Sequence, residues 1–319
     1  MAAYRICVSD ERHDSYDIER ELLASAGAEL VLCQCATDED IVRFCADADG
    51  ILLDMAPLTA RAVAGLRRCK VVSRYGVGYD NVDVAACTAR GIQVTNVPDY
   101  CAEDVAEHAL ALMLSCLRDV ARRDRLIRQG KWNLQRFSFR LEGKVLGVIG
   151  FGRIARALVR KCSGLGFSRI LAYDPYVSSE TCTASGVVKA DLEEVLKQSD
   201  LISLHMPVTA ETAGIIGQQA LSLMKPTSIL VNTGRGPLVD DTALIEALRG
   251  RKILCAGLDT HNQEPLPDDS PYLRLDNVIL TDHTAYSTAE AVQDLKAKAA
   301  QNIVSVLTGA APAYPVNQL

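Results

Sequence analysis

KVLGVIGFGRIARAL, residues 144–158, decides how this chain folds. An apolar run ends on Gly150, Gly152 follows, and an amphipathic stretch opens at Arg153. The pattern is strand, tight turn, helix. Gly150, Gly152 and Ala155 occupy the small positions of G-x-G-x-x-G/A. The first makes the turn, the second lets a pyrophosphate approach the backbone, and the third needs only a small side chain for helix–strand packing. Amides at the helix start then face the phosphates. The next apolar run, RILAY, leads to Asp174, about 20 residues on, where an acid binds a ribose 2′-hydroxyl and repels a 2′-phosphate. NAD is therefore the expected cofactor. The competing reading is an ordinary βα turn with Asp174 as a strand-end cap.

Outward from this turn, short Val-, Ile- and Leu-rich runs alternate with helix-like stretches. YRICV, LVLC, GILL, KVVS and IQVT precede it; RILAY, LISLH, SILVN, ILCAG and NVILT follow it. Continuous apolar runs mark strands buried on both faces, and their alternation with helices marks α/β units with parallel sheets. A whole α/β unit thus precedes the dinucleotide fingerprint. The 319 residues are read as two domains, at roughly 150 residues each. The join falls in NVPDYCAEDVAEHALALMLSCLRDVARRDRLIRQG, residues 96–130. Pro98 disfavours helix just before it. Glu103, Asp104 and Glu107 gather at a helix start and arginines from Arg118 gather toward its end, as the helix dipole favours. Val105, Ala109, Met113 and Cys116 recur at helical spacing, so this stretch is read as one helix used in core or dimer packing. STAEAVQDLKAKAAQNIVSVLTG, residues 287–309, reads as a final amphipathic helix ending at Gly309.

Composition narrows the function. A net charge of −6 offers no basic footprint for a phosphate backbone, which argues against nucleic acid. No apolar stretch approaches the ~20 residues of a membrane span, and MAAYRICVSDERHD turns charged too early for a secretory signal. Eleven cysteines scatter from Cys7 to Cys255 without a Cys-x-x-Cys pair. They are read as reduced thiols of a cytoplasmic protein, with no metal site.

VNTGRGPLVD, residues 231–240, puts Arg235 between two glycines at a strand end. Oxidation of a hydroxy acid needs a proton acceptor, usually histidine, a carboxylate to hold that histidine's tautomer and favour its charged form, and a cation for the substrate carboxylate, which arginine's fork suits. Five histidines compete. His13 lies among charged residues and is expected to be solvated; His108 is expected to pack within its helix; His205 ends a strand near the expected cofactor. His261, three residues before Glu264, and His283, after VILTD, are level on the letters alone. Strand C-terminal ends carry α/β ligand sites, and Arg235, Asp259 and His283 all lie at such ends. Taken singly, each is as readily a surface charge.

These stretches, with SRYGVGYDNVD, NVPDYCAEDVAEHAL, LHMPVTAETAGII, NTGRGPLVDDTAL, AGLDTHNQEPLP and TDHTAYST, resemble the D-isomer-specific 2-hydroxyacid dehydrogenases over nearly the whole chain. The resemblance implies two Rossmann-like or flavodoxin-like parallel-sheet domains with a cleft between them. Residues 1–99 and 287–319 would form the substrate domain and 100–286 the NAD domain, in a cytoplasmic homodimer. Arg235 would bind substrate, Glu264 would partner the histidine, and His283 would be the general acid/base, which separates it from His261. Gly76, Val77 and Gly78 would hold the substrate carboxylate. Arg153, Ile154, His205, Pro207, Thr212, Thr233, Gly234 and Asp259 would join Gly150, Gly152 and Asp174 around the cofactor, Asp259 at the nicotinamide amide. Three departures stand out: Ala155 for the third glycine, Gly234 where Ala or Ser is commoner, and Asp282 where proline commonly precedes the histidine. Asp282 either raises the pKa of His283 or caps the following turn. Residues 53–59, Tyr100 and Tyr286 are expected near the substrate. Narrower alternatives are 3-phosphoglycerate dehydrogenase, with Arg74 assisting a phosphate, and hydroxypyruvate/glyoxylate reductase. The chain ends too early for the regulatory module of long phosphoglycerate dehydrogenases. A different class, NAD(H)-sensing C-terminal-binding co-repressors, shares the motifs, but the disordered tails expected of a scaffold are lacking.

Overall fold

The computed structural model describes residues 3–132 and 138–319. They form two compact units, one of residues up to Cys101 with Thr288–Leu319, the other of Ala102–Ser287.

In the first unit, β1 (Tyr4–Val8), α1 (Asp17–Ser25), β2 (Ala28–Leu32), α2 (Asp38–Cys45), β3 (Gly50–Leu53), α3 (Ala60–Gly65), β4 (Val71–Arg74), α4 (Val84–Ala89) and β5 (Gln93–Thr95) build a parallel sheet ordered β2-β1-β3-β4-β5. This is the flavodoxin-like order. Every residue of β3 is buried, which is why its sequence is an unbroken apolar run. The C-terminal helix packs directly on the sheet: a Cβ on Gly50 would stand 3.1 Å from Val71, 3.2 Å from Ile6 and 3.3 Å from Ile303. His13 is not solvated as expected. It packs edge-on against Tyr16 and Tyr75, and burial, reinforced by the charge of Lys296, lowers its pKa.

In the second unit, α5 (Ala102–Arg118), α6 (Val120–Arg128), β6 (Val145–Ile149), α7 (Arg153–Lys161), β7 (Arg169–Tyr173), α8 (Ser179–Ala184), β8 (Val188–Lys189), α9 (Leu192–Gln198), β9 (Leu201–Leu204), α10 (Gln218–Leu223), β10 (Ile229–Asn232), α11 (Asp241–Arg249), β11 (Cys255–Leu258) and β12 (Val278–Leu280) follow. The chain then returns to the first unit as α12 (Ala289–Leu307). The parallel sheet runs β12-β11-β10-β9-β6-β7-β8. Counted from its own first strand, this is the dinucleotide-binding order with one further strand. The order reverses between β6 and β9, where a crevice for ligand is expected at the strands' carboxyl ends.

The single helix read from the sequence is two. Asp119 adopts a left-handed φ of 59° between α5 and α6, and its carboxylate accepts from Arg122 at 3.2 Å. α5 carries the buried stripe and lies on β11, where Leu112 Cβ would be 3.0 Å from a Cβ on Gly257. α6 buries none of its side chains, so nothing in the core holds it in line with α5. The two-residue edge strand β8 was not read from the sequence either; both its residues are exposed and give no apolar run. No helix among the described residues is long and apolar enough to cross a membrane.

Candidate active site

The glycine turn is built as a cradle. Gly150 has φ 88°, and a Cβ there would fall 2.7 Å from the His205 carbonyl carbon and 2.8 Å from Met206 N. Only glycine fits. A Cβ on Gly152 would meet nothing within 4 Å, so the helix start faces open space, with Arg153 and Ile154 in the first turn of α7. Ala155 is fully buried, as its packing role requires. Asp174 accepts the amides of Phe151 and Tyr176, each at 2.8 Å, one on each carboxylate oxygen. It is thus a cap of the turn, and each oxygen retains a second lone pair that a ribose hydroxyl can use. A dinucleotide fits these residues.

His205 follows β9 and donates its amide to Ile149 O at 2.8 Å. Both ring nitrogens are buried without a hydrogen-bond partner, and burial pushes the pKa down to about 4. The ring is neutral at ordinary pH. Pro207 is exposed, and its carbonyl accepts from Thr212 Oγ1 at 2.7 Å. Thr233 is buried, with its hydroxyl unpartnered.

Arg235 sits just beyond β10, with extended backbone. Asn232 holds this turn: Nδ2 donates to Arg235 O at 2.9 Å and Oδ1 accepts from Gly234 N at 3.0 Å. The guanidinium donates back to Gly234 O at 2.8 Å. Gly236 has a structural cause that the sequence did not reveal. A Cβ there would come within 2.1 Å of His261 C and 2.4 Å of Asn262 N, so the turn after β10 lies flush on the loop after β11.

The two histidines that the letters left level differ sharply. His261 Nε2 lies 2.9 Å from Thr281 O. A carbonyl only accepts, so this nitrogen carries the proton and the ring is tied to the strand end; its Nδ1 is buried and unpartnered. His283 has a left-handed φ of 57°, and its Nδ1 meets Glu264 Oε2 at 2.7 Å. Glu264 Oε1 accepts the His261 amide at 2.9 Å. Burial alone would raise the Glu264 pKa, but the bonds from His283 and the His261 amide outweigh it and the net shift is downward. Tyr286 stands edge-on to His283, ring centres 6.4 Å apart. Asp282 accepts from Thr284 Oγ1, two residues on, at 2.9 Å.

The His283 turn rests on Asp259, which is fully buried. Its Oδ1 accepts from Thr281 Oγ1 at 2.6 Å and Thr284 N at 3.1 Å, its Oδ2 from Ala285 N at 3.1 Å, and its backbone carbonyl from His283 N at 2.8 Å. Since the Thr281 hydroxyl spends its proton on Asp259, it accepts from His108 Nε2 at 3.1 Å. His108, read as packing, is therefore the outer member of a polar chain beneath His283. Thr281 and Thr284 were missed in the sequence, where each is one more polar loop residue.

In the first unit, Gly76 has φ 142°, and a Cβ there would overlap the Arg74 guanidinium. Arg74 folds over this glycine and donates to Tyr75 O. Gly76 O accepts from Val97 N at 2.9 Å and Val77 O from Asn96 Nδ2 at 2.7 Å, which fixes the loop that leads to Gly78.

Comparison with known proteins decides the lineage. Residues 110–285 match the model of the D-isomer specific 2-hydroxyacid dehydrogenase NAD binding domain, more than half of the chain. This chain belongs to the D-isomer specific 2-hydroxyacid dehydrogenase family. Among family members, a glyoxylate reductase of Korarchaeum cryptofilum is 40% identical over 267 residues, covering 82% of this chain and 80% of that protein. A D-3-phosphoglycerate dehydrogenase of Archaeoglobus fulgidus is 38% identical over 89% of this chain; the chain spans about half of that relative, 54%. The apo D-lactate dehydrogenase of Escherichia coli superimposes with a TM-score of 0.84 at 31% identity, over 98% of this chain and 100% of that one. As a member of this family the chain is an NAD-dependent oxidoreductase of the hydroxy acid and oxo acid class.

Proposed function

We propose that the chain interconverts a small D-2-hydroxy acid and its 2-oxo acid, with His283 as general acid/base, Glu264 as its partner and Arg235 as the substrate-binding cation. One observation carries the reading. Glu264 occupies Nδ1 of His283 at 2.7 Å, leaving Nε2 as the nitrogen that exchanges a proton with a substrate hydroxyl. In oxidation Nε2 takes that proton, and the Glu264 carboxylate stabilises the imidazolium; in reduction the proton returns to the oxygen. Arg235 and His283 follow β10 and β12, which flank β11, a backbone separation of roughly 10 Å that two inward-reaching side chains and a small acid can span. Arg235 would pin the carboxylate and polarise the C2 oxygen.

NAD, when bound, supplies the hydride acceptor or donor. Gly150, Gly152, Arg153 and Ile154 would hold its pyrophosphate, Asp174 its ribose, and His205, Pro207, Thr212, Thr233 and Gly234 its further length. Asp259, with its carboxylate turned inward onto Thr281, Thr284 and Ala285, would act by fixing the turn beside the nicotinamide. The Gly76–Val77–Gly78 segment would hold the substrate carboxylate from the substrate domain, for which we take residues 1–99 and 287–319, with 100–286 as the NAD domain. Arg74 is engaged with Tyr75 O and lends no support to a phosphorylated substrate. Eleven cysteines with no disulfide among the described residues suit a reducing cytoplasm, and family resemblance supports a homodimer.

The test is NADH oxidation with glyoxylate, hydroxypyruvate, pyruvate, a branched 2-oxo acid and 3-phosphohydroxypyruvate. Turnover of at least one unphosphorylated acid is expected. Tight NADH binding with no turnover of any would instead favour an NAD(H)-sensing protein.

A further inference from the structure

The first unit holds a cluster that the proposed chemistry does not use. Cys7 in β1, Cys33 just beyond β2 and Cys45 at the end of α2 bring their sulfurs within 4.8 Å of one another. Cys35 lies in the same buried core. Cys7 and Cys45 are fully buried, and Cys33 and Cys35 are 8% and 2% exposed. Local spacing gave no hint of this, because the thiols come from three separate elements. Each is fixed by its element. The Cys33 amide donates to Val8 O at 3.0 Å and the Cys35 amide to Ser9 O at 2.8 Å, locking both beside β1. Thr37 and Asp40 cap α2 reciprocally, which sets where its last residue, Cys45, falls.

We propose that Cys7, Cys33 and Cys45 form a binding site for one thiophilic divalent ion of the zinc type, with Cys35 close by in the same core. An all-sulfur donor set selects soft or borderline d¹⁰ ions over magnesium, calcium or manganese. Zinc–sulfur bonds of about 2.3 Å put the sulfurs of one shell about 4 Å apart, so closing the cluster on an ion asks for less than ~1 Å of movement. Charge decides between ions. Three thiols release three protons to solvent and bind as thiolates, which leaves a net −1 with a divalent ion and −2 with a monovalent one such as copper(I). The surroundings are apolar, with Ile41, Ile51 and Leu53 in the same core, and Arg5 is the cation whose field reaches both Cys7 and Cys33. The smaller buried charge is favoured.

The full chain, purified reduced and metal-free, is titrated with zinc against a chromophoric chelator and, separately, with cadmium while the cadmium–thiolate charge-transfer band is followed. One ion per chain is expected. Cys45→Ser and Cys33→Ser should each lose it, while Cys162→Ser, outside the cluster, should keep it; circular dichroism and NADH binding check folding. Should both serine variants misfold, the wild-type stoichiometry and a zinc-induced rise in melting temperature decide alone. Absence of stoichiometric binding in the wild type would overturn the proposal. So would an undiminished cadmium band in folded cluster variants. So would a Cys7–Cys45 or Cys33–Cys45 disulfide formed by peroxide, which is reduced to water, at the same rate with and without saturating zinc.

Discussion

Acidification should weaken the second unit through one ring. Both ring nitrogens of His205, beside the cofactor cradle, are buried without partners, and burial pushes its pKa down to about 4 from an ordinary 6.5. The folded-state pKa is depressed, so between these values the unfolded chain binds a proton that the folded chain refuses. The stability tied to a neutral His205 is therefore intact above about pH 6.5 and is lost as pH falls toward 4. The whole shift is worth at most about 3 kcal/mol, and about 2 kcal/mol of it should vanish between about pH 7.5 and pH 5. The comparison is urea unfolding of the wild type and His205→Phe at the two pH values, followed by circular dichroism. The phenyl ring keeps the shape, and no ring hydrogen bond is sacrificed. Other titrating groups affect both proteins alike, so the wild type should lose about 2 kcal/mol more than the variant. Equal losses would refute the reasoning.

Gly236→Ala sets a Cβ against the His261–Asn262 backbone, 2.1 Å from His261 C; it should destabilise the protein by about 2 kcal/mol or more and cut turnover by roughly 10²-fold through displacement of Arg235, measured by chemical unfolding and steady-state kinetics. Asp259→Asn turns an amide NH₂ toward donors that a carboxylate accepted. It should cost about 3 kcal/mol and lower kcat by loosening the His283 turn, and unchanged kcat would separate Asp259 from that turn.

Much of the fold was legible because its strands are buried on both faces: GILL and SILVN announce themselves without alternation, and their alternation with helices marks parallel α/β units. What stayed hidden depends on partners far along the chain. Nothing in the letters around Asp119 says that the stretch beyond it finds no core to lie on. Nothing in the letters beside Arg235 says that Gly236 answers to the backbone of His261. The tie between His261 and His283 could not be broken by residue type. It turns on which nitrogen each ring commits, and that depends on Thr281 O and Glu264 Oε2, residues 20 and 19 positions away. Asp282 and Asp174 were ambiguous for the same reason: a carboxylate beside a functional group and a carboxylate capping a turn are spelled alike.

The central claim, that His283 moves the substrate proton from Nε2 while Glu264 holds Nδ1, is tested most directly by His283→Gln. With the best 2-oxo acid of the panel, turnover should fall by roughly 10²-fold or more while NADH binding, followed by fluorescence, stays within a factor of about two. Near-normal turnover in the folded, NADH-binding variant would contradict the assignment.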